Sequence, residues 1–160
     1  MITKNKFYSL DALCAVIEEE RVLGQRIVFT NGCFDILHVG HVRYLRQASS
    51  FGNVLVVAIN SDVSVRRLKP GRPIIPETER AEMLSALEMV NYVTIFDADT
   101  PYETIKALKP HVLVKGGDWK IEDIIGSDLV DEVHSLTYIN GMSTTAIINK
   151  ILKIKDTLCS

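Results

Sequence analysis

Two histidines three residues apart, His38 and His41, close a segment reading Thr30-Asn31-Gly32-Cys33-Phe34-Asp35-Ile36-Leu37-His38-Val39-Gly40-His41. On the first turn of a helix both imidazoles project to the same side. A helix start exposes unpaired N–H groups and about half a positive charge, which suits an anion. Gly32 permits a tight turn or a close backbone approach, and Gly40 removes a side chain from the helix start. A polyphosphate fits such a place, because the rings donate hydrogen bonds and bound phosphate favours their charged form. Two other readings stay open: one histidine merely caps or packs, or the pair ligates zinc. The Glu of a His-Glu-x-x-His motif is missing, and Cys33, His111 and His134 follow no metal-ligand spacing.

Further segments carry groups of the same kind. Asn60-Ser61-Asp62 ends an apolar run, either as a ligand edge or as a turn in which Ser61 or Asp62 caps a short helix. Arg66, Arg67, Lys69 and Arg72 put four cations into seven residues, and Pro70, Gly71 and Pro73 predict a loop there. That loop is either a solvated face or a mobile cationic lid over a phosphate site. Lys115-Gly116-Gly117-Asp118-Trp119 follows Val112-Leu113-Val114. The two glycines bring backbone close to a ligand with Trp119 as a stacking wall, or form a plain turn with Trp119 in the core. Gly141-Met142-Ser143-Thr144-Thr145 leads into the last helical stretch, where three hydroxyls and free N–H groups can hold phosphate oxygens. An N-cap explains Ser143 but hardly needs both threonines. There is no Gly-x-Gly-x-x-Gly after the first apolar run and no Gly-x-x-x-x-Gly-Lys-[Ser/Thr], which disfavours ordinary dinucleotide-dependent dehydrogenases and P-loop NTPases.

The elements that must position these groups alternate. Apolar, β-rich runs recur at 26–30, 53–59, 92–96, 111–114 and 132–138, and the first three are continuously apolar, as strands covered on both faces are. Ser9 caps a helix to about Glu20 carrying Leu10, Leu13, Val16 and Ile17; Val42, Leu45 and Ala48 mark a second. Met83, Leu84, Leu87 and Val90 predict a helix over 80–90. Thr100-Pro101-Tyr102-Glu103 reads as a capping box opening a helix to about Leu108, and Ser143 caps a last one with Ile147, Ile148, Ile151 and Leu152 facing inward. The alternation predicts an α/β domain: a Rossmann-like, doubly wound, mainly parallel five-stranded sheet with helices on both faces. In such sheets ligands sit outside the carboxyl ends of the strands, where the chain order reverses.

Composition bounds the function. The chain has 160 residues, 47% apolar and 24% charged, with 18 Lys+Arg against 20 Asp+Glu, so 18 − 20 leaves −2. That predicts one ordered domain over 1–160, with a helical extension at 1–24 and a core at 25–153. Near-neutral charge argues against a general nucleic-acid binder, and the basic run is short and lacks interleaved aromatics. No apolar run reaches the roughly 18 to 20 residues that span a bilayer, and the first residues lack the apolar stretch of a secretory signal. Cys14, Cys33 and Cys159 are odd in number and form no CxxC pair, so a reducing cytoplasm is the expected compartment.

The segments resemble a known family. Cys33-Phe34-Asp35 with His38-Val39-Gly40-His41, and Ser143-Thr144-Thr145 before the last helix, look like the HxGH nucleotidyltransferase superfamily and its cytidylyltransferase-like branch. Residues 29–38, 60–65, 72–74, 99–101 and 113–118 are similar, more narrowly, to the D-glycero-β-D-manno-heptose 1-phosphate adenylyltransferases. That domain is often fused to a sugar kinase, for which 160 residues leave no room, so the resemblance implies the stand-alone form. It further implies transfer of AMP from ATP to a heptose 1-phosphate with Mg²⁺, giving ADP-heptose for lipopolysaccharide or related glycans, and a homodimer without nucleic-acid or membrane partners. By position, His38, His41 and Lys69 would be catalytic. Thr30, Asn31, Gly32, Cys33, Phe34, Asp35, Gly40, Arg80, Lys115, Gly116, Gly117, Asp118, Ser143, Thr144 and Thr145 would bind the nucleotide, with Asp35 also on the metal. Asn60, Asp62, Arg72 and Trp119 would meet the acceptor. Relatives acting on glycerol 3-phosphate carry an Arg where this chain has Tyr138-Ile139-Asn140.

The acceptor would attack the α-phosphorus in line. A phosphate monoester is mostly a dianion at pH 7, so no general base is needed, and no Ser–His or Cys–His arrangement argues for a covalent intermediate. Two rival readings remain: a CTP-dependent cytidylyltransferase acting on a small phospho-alcohol such as glycerol 3-phosphate, and a non-catalytic nucleotide-binding protein.

Overall fold

The computed structural model describes residues 6–137 and 143–158. Among these, five strands form one sheet: β1 (Ile27–Gly32), β2 (Val54–Asn60), β3 (Tyr92–Phe96), β4 (Val112–Gly116) and β5 (Glu132–Leu136). The order is β3-β2-β1-β4-β5 and every pairing is parallel. The chain moves outward from β1 to β2 and β3, then returns to pair β4 with β1's other edge, Phe29 opposite Val56 on one side and Leu113 on the other. The reversal between β1 and β4 opens a crevice at the carboxyl edge.

Six α-helices connect and flank the strands: α1 (Leu10–Val22), α2 (Val39–Ser49), α3 (Asp62–Leu68), α4 (Glu77–Ser85), α5 (Tyr102–Leu108) and α6 (Thr144–Leu158). Alternation along the strands divides the core. Val28, Leu55, Val57, Ile59, Val112 and Val114 pack with Leu45 and Ala48 of α2 and Ala81 and Leu84 of α4. Ile27, Phe29, Val56, Ala58 and Leu113 pack on the opposite face with Leu13 and Ile17 of α1 and Ile105 and Leu108 of α5. Both faces are covered, which is why these strands read as continuous apolar runs.

Several boundaries differ from expectation. β1, β2 and β4 run on through Gly32, Asn60 and Gly116, so the polar groups Asn31, Asn60 and Lys115 sit within the strand ends. β5 stops at Leu136, and the expected continuation to Tyr138 lies outside the described residues, as do Tyr138-Ile139-Asn140, Gly141, Met142 and Cys159. α4 begins at Glu77, directly after Pro76, and ends at Ser85. Leu87 and Val90 follow in successive turns, with Leu87 N–H donating to Leu84 O and Val90 N–H to Leu87 O. α5 has Pro101 at its N-cap and no side-chain cap bond, so the expected Thr100–Glu103 box does not form. Its last carbonyls are met instead by Arg21 of α1, whose Nη2 donates to Leu108 O (2.9 Å) and Lys109 O (3.1 Å). Arg66 and Arg67 belong to the last turn of α3, not to the loop, which starts at Lys69. On α6, Ile151 and Leu152 are more than half exposed instead of facing inward. Among the described residues no helix is long and apolar enough to cross a membrane.

Candidate active site

The reversal in strand order leaves a cleft of about 990 Å³ at the carboxyl edge of the sheet, walled by the ends of β1, β2 and β4, the start of α2 and the start of α6. His38 is the N-cap of α2. Its backbone N–H donates to His41 Nδ1 (3.4 Å), and its carbonyl accepts from His41 N–H and Val42 N–H. The two rings stack with centroids 3.8 Å apart and planes at 23°, and Phe34 meets His41 edge-on at 5.1 Å. Phe34 holds a left-handed φ of 47° to place its ring there. Gly32 makes room for it: a Cβ on Gly32 would come within 3.0 Å of that ring.

Electrostatically this pair is prepared for an anion. Burial, helped by the charges of His38 and Lys69, pushes the His41 pKa down to about 4, against a hydrogen bond to the Ile36 carbonyl that works upward. Burial also lowers His38, whose Nδ1 is enclosed and meets no partner among the described residues. Lys115, on β4, donates to Asn31 Oδ1 (3.1 Å); burial lowers its pKa, with Cys33 opposing and Lys69 adding. Lys69 is exposed in the cleft wall just beyond α3. At the other end Ser143 is indeed a cap, its Oγ accepting from Ala146 N–H (3.1 Å), and Thr144 and Thr145 line the cleft beside it.

Of the residues expected from sequence, the cleft gathers His38, His41, Lys69, Asn31, Gly32, Cys33, Phe34, Asp35, Gly40, Lys115, Gly116, Ser143, Thr144, Thr145, Asn60, Arg72 and Trp119. Trp119 is half exposed rather than in the core, its indole N–H donating to Gly116 O (3.2 Å). Cys33 Sγ points at Asn60 Oδ1 (3.8 Å), and Asn60 Nδ2 donates to Ser64 Oγ (3.0 Å).

Six expected residues stand otherwise in the structure. Arg80 is fully buried and cannot reach a phosphate from there: Nε donates to Ile75 O (2.9 Å), Nη1 to Cys33 O (2.5 Å) and Nη2 to Asp62 Oδ1 (2.7 Å). Asp62 is that pair's other half and does not line the cleft. Gly117 turns its N–H to Leu136 O and its carbonyl to Ser135 Oγ, which takes it and exposed Asp118 out of the cleft wall. Thr30 is buried behind the site, sharing a 2.6 Å hydrogen bond with Tyr44 OH. Asp35 is the sixth. Both its oxygens are occupied, Oδ2 by Arg72 Nη1 (2.7 Å) and Oδ1 by the N–H groups of Ile74 (2.7 Å) and Ile75 (2.9 Å). Among the described residues no cluster of three His, Cys, Asp or Glu could hold a metal. With three acceptor positions taken and no such cluster among the described residues, Asp35 shows no preformed Mg²⁺ site.

Sequence reading missed the flank of α2 in this wall. Arg43, Tyr44 and Gln47 face the cleft beyond the expected Gly40 at helical spacing, a pattern visible once the helix start is placed at Val39. It also missed Asp99 to Pro101, whose role depends on a loop brought in from beyond β3.

Phosphate-compatible groups thus gather around the parallel sheet's carboxyl edge, on strand ends and two helix starts. Residues 29–151 match the family model described as cytidylyltransferase-like, and the chain belongs to that family. It is 55% identical over 153 residues to the Bifunctional protein HldE of Geobacter metallireducens, covering 92% of this chain and 31% of that protein. To the Bifunctional protein HldE of a Nitratiruptor species it is 57% identical over 129 residues, or 80% of this chain and 28% of the relative. The chain thus spans about a third of the length of such relatives. Among solved structures, a lipopolysaccharide core biosynthesis protein from Thermoplasma volcanium superposes with a TM-score of 0.63 at 27% identity, over 73% of this chain and all of that one. A pantoate-beta-alanine ligase from Francisella tularensis, at 12% identity and a TM-score of 0.65 over 92% of this chain and 73% of its own, shares the fold.

Proposed function

We propose that this chain transfers AMP from ATP to D-glycero-β-D-manno-heptose 1-phosphate, releasing pyrophosphate and forming ADP-heptose by direct in-line attack. The observation that carries this reading is the stacked His38–His41 pair at the start of α2, sharing one cleft with Lys69, Lys115 and the hydroxyl-bearing start of α6. Two anions must be brought together there, and the growing charge on the leaving pyrophosphate must be met. His38 and His41 are suited to the triphosphate, the α6 start to its outer oxygens, and Lys69 to the side from which the acceptor enters. The attacking phosphate is already a dianion, so the residues present need to orient it rather than deprotonate it. Mg²⁺ would be held by the nucleotide's own oxygens. The acceptor assignment rests on the likeness to HldE proteins; the ADP-heptose role, the cytoplasmic setting and a homodimer are proposed with it.

The family description favours a second reading, a CTP-dependent transfer to a phospho-alcohol. Pyrophosphate release measured across ATP, CTP, GTP and UTP, each with heptose 1-phosphate, other sugar 1-phosphates and glycerol 3-phosphate, separates the two. The proposal expects release only with ATP and the heptose. Release with CTP and glycerol 3-phosphate replaces it, and none with any pair returns the chain to nucleotide binding without transfer.

A further inference from the structure

We propose that Asp35 is the anchor of the basic loop rather than a metal ligand, and that through Arg72 and the amides of Ile74 and Ile75 it sets where Lys69 stands against the histidine pair. The loop after α3 has two unlike halves. Lys69, Pro70 and Gly71 are exposed, and Gly71 has a φ of +75°. Arg72 to Ile75 are tied down. Asp35, 5% exposed at the end of the β1 segment, accepts from Arg72 Nη1, Ile74 N–H and Ile75 N–H. Buried Arg80 takes the Ile75 carbonyl and also the Cys33 carbonyl, two residues before Asp35. Glu77 Oε2 then accepts from Asp62 N–H (2.6 Å), closing the far end of the loop onto the start of α3. The loop therefore cannot swing as a whole: Lys69 N–H donates to Val65 O (2.8 Å) at the end of α3 and Lys69 O accepts from Arg72 N–H (3.1 Å), so the backbone of Lys69 is tied directly to the residue that Asp35 holds.

The same geometry settles what each cation is for. Arg72 is neutralised by Asp35, with side chains 16% and 6% exposed. Lys69 forms no ion pair among the described residues and is close enough to depress His41. Asp35 thus works on the site through a position, not through a contact with substrate. Three of the roughly four acceptor positions of this carboxylate are taken, which leaves a cation only the second lone pair of Oδ2, beside the Arg72 guanidinium that already neutralises it.

The kinetic part of this inference rests on the transferase reading; the amide part does not. The test uses Asp35→Asn, Arg72→Ala, Lys69→Ala and the double variant Asp35→Asn/Lys69→Ala in the full chain. Without substrate, amide exchange at Ile74 and Ile75 should accelerate roughly tenfold or more in Asp35→Asn, because a neutral amide accepts more weakly than a carboxylate. With substrates, Asp35→Asn should lose kcat/KM roughly tenfold, and the double variant should be no worse than Lys69→Ala alone, the signature of two residues acting as one unit. Half-saturation by Mg²⁺ should stay within about twofold of the parent, as expected of a residue that holds no metal. Losses that multiply in the double variant, unchanged amide exchange, or a Mg²⁺ requirement raised about tenfold would overturn the anchor. Should Asp35→Asn not fold, Arg72→Ala decides in the same way: a loss that disappears in the Lys69→Ala background supports it, and no loss or a multiplying one refutes it. If no nucleotide and acceptor pair is turned over at all, the transferase reading fails while the amide result still stands or falls by itself.

Discussion

Acidification should destabilise the ligand-free protein through His41, and replacing His41 by Gln should abolish that part of the pH dependence. His41 is held down to about 4 in the folded chain, against 6.5 for an ordinary histidine. As pH falls through 6.5 the unfolded chain takes up a proton that the folded chain refuses until about 4. The unfolded state then binds more protons, so stability is greatest above pH 6.5 and falls toward pH 4, by at most about 1.4 kcal/mol per pH unit. Between pH 7.5 and pH 5 the full linkage is about 2 kcal/mol; His41 is only partly buried, so solvent screening reduces this to about 1 to 2 kcal/mol. The window stays above the acid range in which Asp35 contributes. At Asp35 burial works upward, but the bonds from Ile75, Arg72 and Ile74 and the Arg72 charge hold the carboxyl below its usual range.

Urea unfolding at both pH values, for the parent and His41→Gln, measures the difference. The parent should lose about 1 to 2 kcal/mol more than the variant over that span. Saturating ATP should shrink the excess, because triphosphate oxygens beside the ring favour its charged form. If parent and variant show the same pH slope without ligand, His41 is not a neutral group awaiting an anion, and the argument that charge arrives with the substrate is wrong.

Three other outcomes check the site. His38→Ala should lower kcat by roughly 10²-fold, since one preorganised donor to a developing charge is worth about 3 to 4 kcal/mol; steady-state pyrophosphate release with a folded variant decides it. Arg80→Lys should lower stability by roughly 3 kcal/mol or more by leaving Asp62 and the Cys33 and Ile75 carbonyls under-bonded. The folded fraction should keep its KM for nucleotide, and a raised KM would restore Arg80 to the phosphates. Gly32→Ala should destabilise by about 1 to 3 kcal/mol and weaken nucleotide binding, because the new methyl presses on the Phe34 ring that steadies His41; denaturation and binding measurements equal to the parent would show that the ring has room to move.

The parts of this molecule that could be read from sequence are those whose cause is local. Val54 to Ile59 is apolar throughout because both sheet faces are covered, and Ser9 and Ser61 announce α1 and α3 because each side chain caps its own helix. Where local signals compete, reading failed. Pro70, Gly71 and Pro73 drew the loop back over Arg66 and Arg67, although Ser61 had already opened a helix that runs through both. Leu87 and Val90 kept the helical spacing of Met83 and Leu84 after the helix had given way to turns, since the core needs their apolar surface in either geometry. The charged residues were hardest. Nothing near Asp35 in the chain shows that Arg72 and Ile74 come from 37 and 39 residues away to occupy it, and nothing near Arg80 shows Asp62 and Cys33 closing around it.

That same difficulty explains how a chain of balanced charge can hold an anion site. The cations around the cleft divide by partner. Arg67 pairs with Asp99, Arg72 with Asp35 and Arg80 with Asp62, and these pairs shape the loop and the start of α3 without adding net charge to the cleft. Lys69 and Lys115 form no ion pair among the described residues, and between them lie two histidines kept neutral by burial. An empty cleft built this way avoids adding two more charges to cations that already repel one another. A triphosphate entering it meets Lys69, Lys115 and Arg43 and two rings able to take up protons, so its own charge completes the field that its transfer needs. Proton uptake on nucleotide binding near pH 7, read by calorimetry in buffers of different ionisation enthalpy, follows directly from that arrangement. Binding with no proton uptake would mean that Lys69, Lys115 and Arg43 supply the field without the histidines.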